Sequence, residues 1–343
     1  MKKYELSIII PSNREMFLAR TIQDALENTS EQTEIIATLD GFWADPPVPD
    51  NDRVSLIYVP KPIGMRAASN LAVKLSKAKY IAKVDAHVSF DKDWDIKMLN
   101  AFDKVGKNVT MVSIMRNLWA FSWKCSKCGW KKYQGPTPEK CERCGRTHRM
   151  RRQMLWRGKE RPQSTSFCFD SEPHFNYFRE YTKRPEYKKA LEETGLTETM
   201  SLQGSCFMCT REKYWELDLG GEELGNWGNQ GIQVACATWL SGGRVLCNHN
   251  TWYAHMFRTQ GKDFGFPWDA HSRDMQKTKD NVKKLFWEKK HPKQIYPVSW
   301  LVEKFWPISP ILPKQHDAQR SAGSPGWSAE ALAELKEHEP KLV

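Results

Sequence analysis

The sequence predicts an α/β protein whose open, mostly parallel sheet carries a ligand site at the carboxyl ends of its strands. Two observations predict this class. Short β-branched runs alternate with segments of helical spacing from residue 6 onward, and polar residues follow successive runs. A cysteine-rich, basic segment then interrupts the pattern, which indicates an inserted module. Because parallel strands end at one edge of a sheet, we expect the polar residues to gather there.

Local patterns predict each element of the first third of the chain. Leu6 begins a β-branched run that ends in proline and turn-forming residues, and residues 16–28 have an apolar face at helical spacing. Two strands, a helix and a further strand follow. Their predicted ranges are 34–41, 54–59, 67–76 and 80–85.

The triplet Asp85-Ala86-His87 is the first candidate site. Side chains at i and i+2 of a strand project the same way, so both polar groups are expected at the mouth of the sheet. His255, far along the chain, supplies a second imidazole. One carboxylate and two imidazoles suit Mn²⁺, or Mg²⁺, with coordination positions left for diphosphate oxygens. An Asp-x-His pair alone is more often ordinary surface chemistry, so its context decides.

That context is a series of short motifs in a fixed order. They are Ser12-Asn13-Arg14-Glu15, Leu39-Asp40, Gly64-Met65-Arg66-Ala67, Asp85-Ala86-His87, Gly204-Ser205-Cys206-Phe207, Trp227-Gly228-Asn229-Gln230-Gly231, Leu240-Ser241-Gly242-Gly243 and His255-Met256-Phe257-Arg258. In order and approximate spacing over residues 4–115 and 200–270, the series resembles the polypeptide N-acetylgalactosaminyltransferases, which have the GT-A fold. The resemblance implies a UDP-sugar donor, a divalent metal, and transfer of a hexosyl or N-acetylhexosaminyl group to a hydroxyl.

The resemblance also implies roles for individual residues. Asp85, His87 and His255 would hold the metal. Arg258 would stabilise the departing UDP, where negative charge develops. Trp227 would flank the donor sugar. The residues near the nucleotide would be Pro11, Asn13, Glu15, Asp40 and Arg66, with Asp40 beside the uracil or ribose.

Three of these roles compete with ordinary structural ones. Arg66 could be a solvated helix residue, and Trp227 could simply pack in the core. His255 lies in an apolar run, where a buried structural histidine is the usual alternative, although the order of the motifs favours a metal ligand.

Gln230 stands where the resembled family has an acid. An amide cannot take a proton at neutral pH, so Gln230 cannot be the base that deprotonates the acceptor hydroxyl. Either Glu222 or Glu223, just upstream, is the base, or the leaving phosphate itself helps to deprotonate the acceptor, as in retaining enzymes. We expect retention, with Gln230 in the catalytic pocket.

Two Cys-x-x-Cys pairs lie between the two halves of this series. Cys125 and Cys128 are separated by twelve residues from Cys141 and Cys144, and a glycine follows each pair. This spacing predicts a zinc ribbon, whose closed site of four thiolates is structural. Four unrelated thiols are the alternative. The other five cysteines lack framework spacing and the total of nine is odd, which argues against disulfides.

Positive charge is concentrated around these cysteines. Residues 116–161 hold fourteen Lys or Arg and three acids, an excess of eleven that equals the formal net charge of +11 of the whole chain. Aromatic residues that look exposed are interleaved with the cations: Trp119, Trp123, Trp130, Tyr133 and Trp156. Such a surface predicts nucleic-acid binding, through Lys131, Lys132, Arg149, Arg151 and Arg152. The alternative is a solvated ribbon that braces the core.

Length and composition allow one large α/β core plus a small module. We expect a nucleotide-sugar-binding half at residues 1–115, the ribbon at 116–161, an acceptor-side half at 162–305 with a helical insertion at 170–200, and a proline-rich tail at 306–343 with a short helix at 329–336. No stretch approaches the roughly 18 to 20 apolar residues of a membrane span, and no signal region precedes the first strand. The expected location is the cytoplasm.

Three functions fit these observations. The first is transfer of a sugar from a UDP donor to hydroxymethylated pyrimidines in DNA, as phages do to shield their genomes, in the host cytoplasm and with the ribbon on the DNA backbone. The second is glycosylation of a protein or glycan, with a purely structural ribbon. The third is a non-catalytic nucleic-acid-binding protein on a decayed GT-A scaffold. The intact set of Asp85, His87 and His255 argues against decay.

Overall fold

A computed structural model of the chain describes residues 4–147, 150–258, 262–267, 272–308 and 326–339. These residues form a mixed α/β sheet with helices packed on both of its faces. The structure therefore confirms the predicted fold class.

The first half of the chain alternates strands and helices as predicted. The elements are β1 (Leu6–Ser12), α1 (Leu18–Asn28), β2 (Thr33–Asp40), β3 (Val54–Val59), α2 (Met65–Leu75), β4 (Tyr80–Val84), β5 (Val88–Phe90) and α3 (Trp94–Val105). For the elements up to β4, the bounds agree with the predicted ranges to within two residues, whereas no ranges were predicted for β5 and α3. Local pattern was sufficient here because each strand is a short apolar run between turn-forming residues.

The second half is more irregular. Its elements are β6 (Val109–Cys125), β7 (Lys131–Tyr133), β8 (Met150–Gly158), β9 (Phe167–Phe169), β10 (Phe175–Tyr177), α4 (Pro185–Thr194), β11 (Leu196–Glu198), β12 (Cys206–Thr210), α5 (Arg211–Glu216), α6 (Gln230–Leu240), β13 (Arg244–His255), α7 (Ser272–Trp287), α8 (Val298–Lys304) and α9 (Ala329–His338). Helix α4 lies within the range predicted as a helical insertion.

The main sheet has the strand order β11-β13-β6-β12-β4-β1-β2-β3. Strands β3, β2, β1 and β4 are all parallel, and β12 then runs antiparallel between β4 and β6. The carboxyl ends of β1, β2 and β4 therefore meet at one edge. This edge is where the sequence predicted the ligand site.

Strand β1 shows why the strands of the parallel half of the sheet have continuous apolar sequences. Ile8 and Ile10 pack into one hydrophobic cluster, while Ile9 packs into the cluster on the other face of the sheet. Alternate residues of a strand face opposite sides, so a strand covered on both faces is apolar at every position.

Strand β6 carries the inserted module out of the main sheet. Its first part pairs with β13 and β12. Residues 118–125 pair antiparallel with β8, and residues 122–124 also pair antiparallel with β7. We call the three-stranded sheet β7-β6-β8 the ribbon sheet. One 17-residue strand thus belongs to both the core and the insertion.

The described part of the C-terminal segment packs against the core. Trp327 is buried, and its indole N–H donates to the carbonyl of Phe169 at 2.9 Å. Helix α9 contacts α8, and its range includes residues 329–336, where a short helix was predicted. Residues 309–325 of the predicted proline-rich tail lie outside the described residues. Across the described ranges, no helix has the length and apolar character needed to cross a bilayer.

Candidate active site

Asp85, His87 and His255 come together at the carboxyl edge of the sheet. Asp85 and His87 lie in the bend between β4 and β5 rather than within a strand, and His255 is the last residue of β13. Strand β13 pairs antiparallel with β5, which places His255 opposite Val88. Strand register therefore joins residues that are remote in sequence.

The three side chains are arranged as ligands of one ion. Their candidate ligand atoms all lie within 4.8 Å of one another. The Oδ2 atom of Asp85 is 3.1 Å from Nε2 of His255. Adjacent ligands of an octahedral ion with bonds of about 2.1 Å are about 3.0 Å apart, so these two atoms can share one ion. A carboxylate and two imidazoles therefore fit a divalent ion of the Mn²⁺ or Mg²⁺ type.

Lys83 holds the Asp85 carboxylate through the oxygen atom that does not face His255. Its buried ammonium donates to Oδ1 of Asp85 at 2.5 Å and to the carbonyl of Gly204 at 3.0 Å. Burial raises the pKa of the Asp85 carboxyl, but the charge of Lys83 and the hydrogen bond from His255 outweigh it and hold that pKa well below its usual range. Asp85 is therefore ionised at neutral pH. Sequence analysis missed Lys83, although a lysine within an otherwise buried strand was a usable signal.

Glu15 links His87 to Arg258. Its Oε2 atom is 3.3 Å from Nδ1 of His87 and 2.9 Å from Nη2 of Arg258, and all three side chains are buried. Burial raises the pKa of Glu15, but the two neighbours lower it further, so the net pKa is lowered. A carboxylate that orients the ring of a metal-binding histidine is a common arrangement. It leaves Nε2 of His87 as the ring nitrogen available to an ion.

Burial favours the neutral form of His255. Desolvation lowers the pKa of this imidazole, the neighbouring Asp85 carboxylate opposes the effect, and the net pKa is lowered. Neutral imidazole is the form that binds metal ions. The site therefore holds an anionic oxygen ligand beside a neutral nitrogen ligand.

A cavity of about 330 Å³ opens on one side of this cluster. We call it the strand-end cavity, because its walls come from the ends of β1 and β2 and from the start of α2. Of the residues expected near the nucleotide, those that line it are Pro11, Asn13, Glu15 and Asp40.

Asp40 shapes the wall of the strand-end cavity. Its two carboxylate oxygens accept the backbone N–H groups of Ile63 at 2.7 Å and Gly64 at 3.1 Å. The side-chain amide of Asn13 donates to the carbonyl of Asp40 at 2.8 Å. Asp40 therefore holds the loop before α2 in place.

Arg66 is buried and lines neither cavity. Its guanidinium donates to the carbonyls of Gly220 and Gly228 and to the side-chain oxygen of Gln233. Arg66 thus fixes the loop that leads into α6. It is not the solvated helix residue of the alternative, and its place near the nucleotide stays a prediction.

A second cavity of about 550 Å³ adjoins the strand-end cavity. We call it the α6 cavity, since it reaches the first residue of that helix. Asp85, His87 and Trp227 line both cavities, and His255 and Arg258 line the α6 cavity. Trp227 packs edge-on against Phe266 at 5.2 Å between ring centroids. The metal-ligand cluster therefore lies where the two cavities meet.

Gln230 lines the α6 cavity, but its amide is buried. The side chain is 4% exposed, and neither amide atom has a hydrogen-bond partner within the described part of the chain. Leaving such a group unsatisfied costs about 1–3 kcal/mol.

The two acids proposed as alternative bases lie elsewhere. Glu222 and Glu223 belong to a short 3-10 turn, and neither lines either cavity. Glu222 accepts the side-chain amide of Asn70 at 2.7 Å. Their proximity to Gln230 in sequence does not bring them to the site.

A further polar group in the α6 cavity was missed from the sequence. The ring of His174 is held by the buried carboxylate of Asp170, with Nδ1 at 3.0 Å from Oδ2. Its other nitrogen, Nε2, is 3.1 Å from the ammonium of Lys279, and both His174 and Lys279 line the cavity. The Asp-x-x-x-His spacing was visible in the sequence, but its connection to α7 depends on tertiary packing.

The four predicted knuckle cysteines also converge. Their sulfur atoms lie within 4.8 Å of one another, with Cys125–Cys144 at 3.8 Å and Cys128–Cys141 at 3.5 Å. These distances exclude disulfide bonds, which are about 2.05 Å long. They match the edge of a tetrahedron around Zn²⁺ with Zn–S bonds of about 2.3 Å, which is about 3.8 Å long.

The two halves of the cysteine cluster have the same local geometry. Gly129 donates its N–H to the carbonyl of Cys125 at 3.1 Å, and Gly145 does so to Cys141 at 2.9 Å. The φ angles of these glycines are +70° and +69°, in the left-handed region that other residues adopt at a cost. The glycine after each pair therefore closes the turn that directs two thiols inward.

The predicted nucleic-acid residues divide between the two faces of the ribbon sheet. Lys131 and Arg151 both pair with Lys124 of the central strand, and so share its face. Lys132 and Arg152 both pair with Trp123, and so share the opposite face. Arg149 lies outside the described residues.

The aromatic residues of the ribbon are less exposed than the sequence suggested. Trp123 and Trp156 are buried in a cluster with Phe17 and Phe264 of the core. Trp119 and Trp130 are half-buried, and Tyr133 is exposed. The expectation of exposure was wrong for Trp123 and Trp156, because the inner face of the ribbon sheet packs against the core.

The fold and the site together define the class of glycosyltransferases. The chain belongs to glycosyl transferase family 2, whose sequence model matches residues 7–218. No curated protein matches the chain by sequence.

A solved structure, that of GalNAc-T7, shares this fold. A crystal structure of GalNAc-T7 with UDP, GalNAc and Mn²⁺ is similar to the chain with a TM-score of 0.59 at 16% identity, covering 82% of this chain and 48% of that one. A crystal structure of S. aureus TarS is similar with a TM-score of 0.43 at 11% identity, covering 74% of this chain and 37% of that one. The chain thus spans about half the length of GalNAc-T7, and the likeness shows the fold alone.

Proposed function

We propose that the protein is a metal-dependent transferase that moves a sugar from a UDP-sugar to a hydroxymethylated pyrimidine in DNA. The convergence of Asp85, His87 and His255 between two cavities carries the proposal. The strand-end cavity would take the nucleotide, and the α6 cavity would take the sugar and the acceptor. Phage DNA as the acceptor would place the reaction in the host cytoplasm.

The donor half of the proposal rests on the chemistry of the cluster. A divalent ion bound here would neutralise the diphosphate and polarise its bond to the sugar. Arg258 lines the α6 cavity beside His255, held by the buried carboxylate of Glu15. A preorganised guanidinium in a buried site can stabilise the negative charge of a departing UDP. GalNAc-T7 was crystallised with UDP and Mn²⁺, which supports the same donor and metal class here.

The acceptor half rests on the distribution of charge. The excess of positive charge lies within residues 116–161, and the ribbon sheet that carries much of it packs beside the catalytic core. The backbone N–H of Thr137, in the ribbon, donates to the carboxylate of Asp263, which follows the third metal-ligand candidate in the chain. A nucleic acid bound to the ribbon would therefore lie beside the catalytic core. Reaching a base in a duplex would require its extrusion from the stack.

We further propose that the sugar keeps its anomeric configuration. Gln230 cannot act as a base, and Glu222 and Glu223 line neither cavity. His174 lines the α6 cavity, but its Nε2 is already engaged by Lys279. Deprotonation of the acceptor by the leaving phosphate needs no protein base.

A zinc ion in the cysteine cluster would stabilise the ribbon. The sulfur distances fit tetrahedral Zn²⁺, and four thiolates form a closed site without a position for substrate. Hydrogen bonds from the backbone N–H groups of Cys128 and Lys127 lower the pKa of the Cys125 thiol to about 6, which favours the thiolate that binds metal. Zinc would then set the geometry of the ribbon sheet rather than take part in transfer.

A protein or glycan acceptor is the second candidate, with a ribbon that only braces the core. The burial of Trp123 and Trp156 against the core favours such a bracing role. A non-catalytic nucleic-acid-binding protein is the third candidate. The contacts of Lys83 with Asp85 and of Glu15 with His87 argue against it, since a decayed site would not keep these supporting contacts.

A donor-by-acceptor transfer assay with Mn²⁺ tests the proposal. Radiolabelled UDP-glucose, UDP-galactose, UDP-GlcNAc and UDP-GalNAc are offered with DNA containing 5-hydroxymethyluracil or 5-hydroxymethylcytosine, with unmodified DNA and with a Ser/Thr peptide. We expect label only in hydroxymethylated DNA. Label in the peptide would move the acceptor to protein, and no label in any acceptor would contradict a transferase acting on DNA.

A further inference from the structure

The outer face of the ribbon sheet carries three cations in one cross-strand row. Lys124 at the centre of the sheet pairs with Lys131 on β7 and with Arg151 on β8. Directly paired residues of neighbouring strands project to the same face, about 5 Å apart. All three side chains are exposed.

This row is unfavourable for the folded protein alone. Like charges directly opposite each other destabilise a sheet. Within the described ranges, none of the three cations forms an ion pair with an acidic side chain. Folding therefore brings the three charges together without a compensating contact, which an anionic partner would supply.

Two aromatic rings lie on the same face, next to the row of cations. Tyr133 pairs with Ser122, two positions before Lys124, and so projects to the same side. Its ring is 5.6 Å from that of Trp119. Lys159 lies 4.5 Å from the Tyr133 ring and Arg157 lies 4.7 Å from the Trp119 ring. The exposed Tyr133 ring and the half-buried Trp119 ring, with cations beside them, form a platform on which bases can stack while phosphates are neutralised.

The opposite face also carries one cation on each of the two edge strands, but both are engaged. Lys132 forms an ion pair with Glu142 at 3.0 Å. The guanidinium of Arg152 lies 5.4 Å from the Trp123 ring and contacts the sulfur of Met16. These two cations already have structural partners, so they are poorly placed to bind a ligand.

We propose that the outer face, defined by Lys124, Lys131, Arg151, Tyr133 and Trp119, is a binding surface for single-stranded nucleic acid. This inference deepens the proposed function and rests on its acceptor being DNA. In this proposal Lys131 and Arg151 contact the bound nucleic acid, whereas Lys132 and Arg152 do not. The three cations span about 10 Å across strands spaced about 4.8 Å apart, a length that matches two or three phosphates of one DNA strand.

A pair of matched variants tests the surface. The outer variant combines Lys131→Gln and Arg151→Gln, and the inner variant combines Lys132→Gln and Arg152→Gln. Both change the same residue types on the same strands by the same charge. Binding of a short fluorescein-labelled, unmodified single-stranded DNA to the full chain is followed by fluorescence anisotropy over a range of salt concentrations, without donor sugar.

We expect the outer variant to raise Kd about tenfold and to reduce the slope of log K against log salt by about 1.4, since each lost phosphate contact removes about 0.7. The inner variant should change Kd by less than about twofold, although losing its structural contacts lowers its Tm. The outer variant should unfold at the same temperature as the wild type or a higher one, because a repulsive row is relieved. Equal weakening in both variants, or none in the outer one, would overturn the assignment.

The role of the rings is tested separately. Tyr133→Ala should weaken binding about fivefold or more, as base stacking on an aromatic ring predicts. Heparin, an anion without bases, should bind the Tyr133→Ala variant as it binds the wild type; equal losses for both ligands would overturn the stacking surface. If the wild type binds DNA but transfers no sugar to it, the proposed function is contradicted and the proposed binding surface is not. If the outer variant transfers sugar to DNA with an unchanged Kd, the binding surface is contradicted and the proposed function is not.

Discussion

Glu15 and Arg258 form a buried ion pair at 2.9 Å although 243 positions separate them in the chain. The same Glu15 oxygen faces His87, so one carboxylate orients both a metal-ligand candidate and the cation expected at the departing phosphate. This contact joins the end of β1 to the loop after β13. It explains how the two ends of the site keep a fixed distance from each other.

Replacing Glu15 should therefore weaken metal binding. Glu15→Gln removes the charge that holds His87 and Arg258, and loss of such a supporting partner costs about 10- to 100-fold in metal affinity. The variant should also lose about 3 kcal/mol of unfolding free energy, because Arg258 is left buried without its counter-charge. Mn²⁺ titration followed by electron paramagnetic resonance measures the first effect, and urea unfolding measures the second. Glu34→Gln, which changes an acid near the start of β2, is the control. An unchanged Mn²⁺ affinity in Glu15→Gln would contradict the assignment.

The mechanism without a protein base predicts a mild effect at His174. His174→Gln should lower kcat less than about tenfold and leave the product anomer unchanged, since general-base catalysis contributes about 10²–10⁴-fold where it operates. Steady-state kinetics and NMR of the product sugar measure both quantities. A loss of about a thousandfold in kcat would make His174 the base. An inverted product from the wild type would contradict the retaining mechanism.

The cysteine cluster predicts a bound metal independent of the active site. Protein purified without added zinc should contain about one Zn²⁺ per chain by elemental analysis. Cys125→Ser should lose that zinc and lower the Tm, because a structural zinc contributes folding free energy. Cys236→Ala, at a buried cysteine outside the cluster, should keep the zinc. Wild-type protein without zinc would refute the ribbon assignment.

Asp24 should make stability depend on pH. Burial raises the pKa of its carboxyl to about 6 from an ordinary value of 3.8, despite the hydrogen bond from the backbone of Phe90. A raised folded pKa means that the native state binds the proton more tightly, so this stabilisation is complete below about pH 4 and is lost as the pH rises through about 6. The stability of the wild type relative to Asp24→Asn should fall by about 2 kcal/mol between about pH 4 and about pH 7. Urea unfolding at several pH values measures it, and a flat difference would show that Asp24 has an ordinary pKa.

Much of the fold and part of the site could be predicted because their signals are local. The strands up to β4, the Asp85–His87 pair and the cysteine knuckles each lie within a short stretch of sequence. The burial of Arg66 could not be predicted, because its partners Gly220 and Gln233 are set by tertiary packing. Burial of Trp123 is likewise a long-range property of the face that meets the core.

The supporting residues of the site were the hardest to predict. Lys83 gains its meaning only from the loop that brings Gly204 beside it, and Asp170, His174 and Lys279 come from segments that meet only in the folded chain. Their functional meaning depends on which cavity they line. A sequence pattern carries no such information.

The metal site at Asp85, His87 and His255 can be tested by isothermal titration calorimetry. Mn²⁺ is titrated in the presence of UDP into the wild type and into Asp85→Asn. We expect the wild type to bind Mn²⁺ and UDP together, and Asp85→Asn to lose Mn²⁺ binding while it stays folded, with a lower Tm because buried Lys83 loses its counter-charge. Equal Mn²⁺ and UDP binding by the two proteins would contradict a metal site at Asp85, His87 and His255.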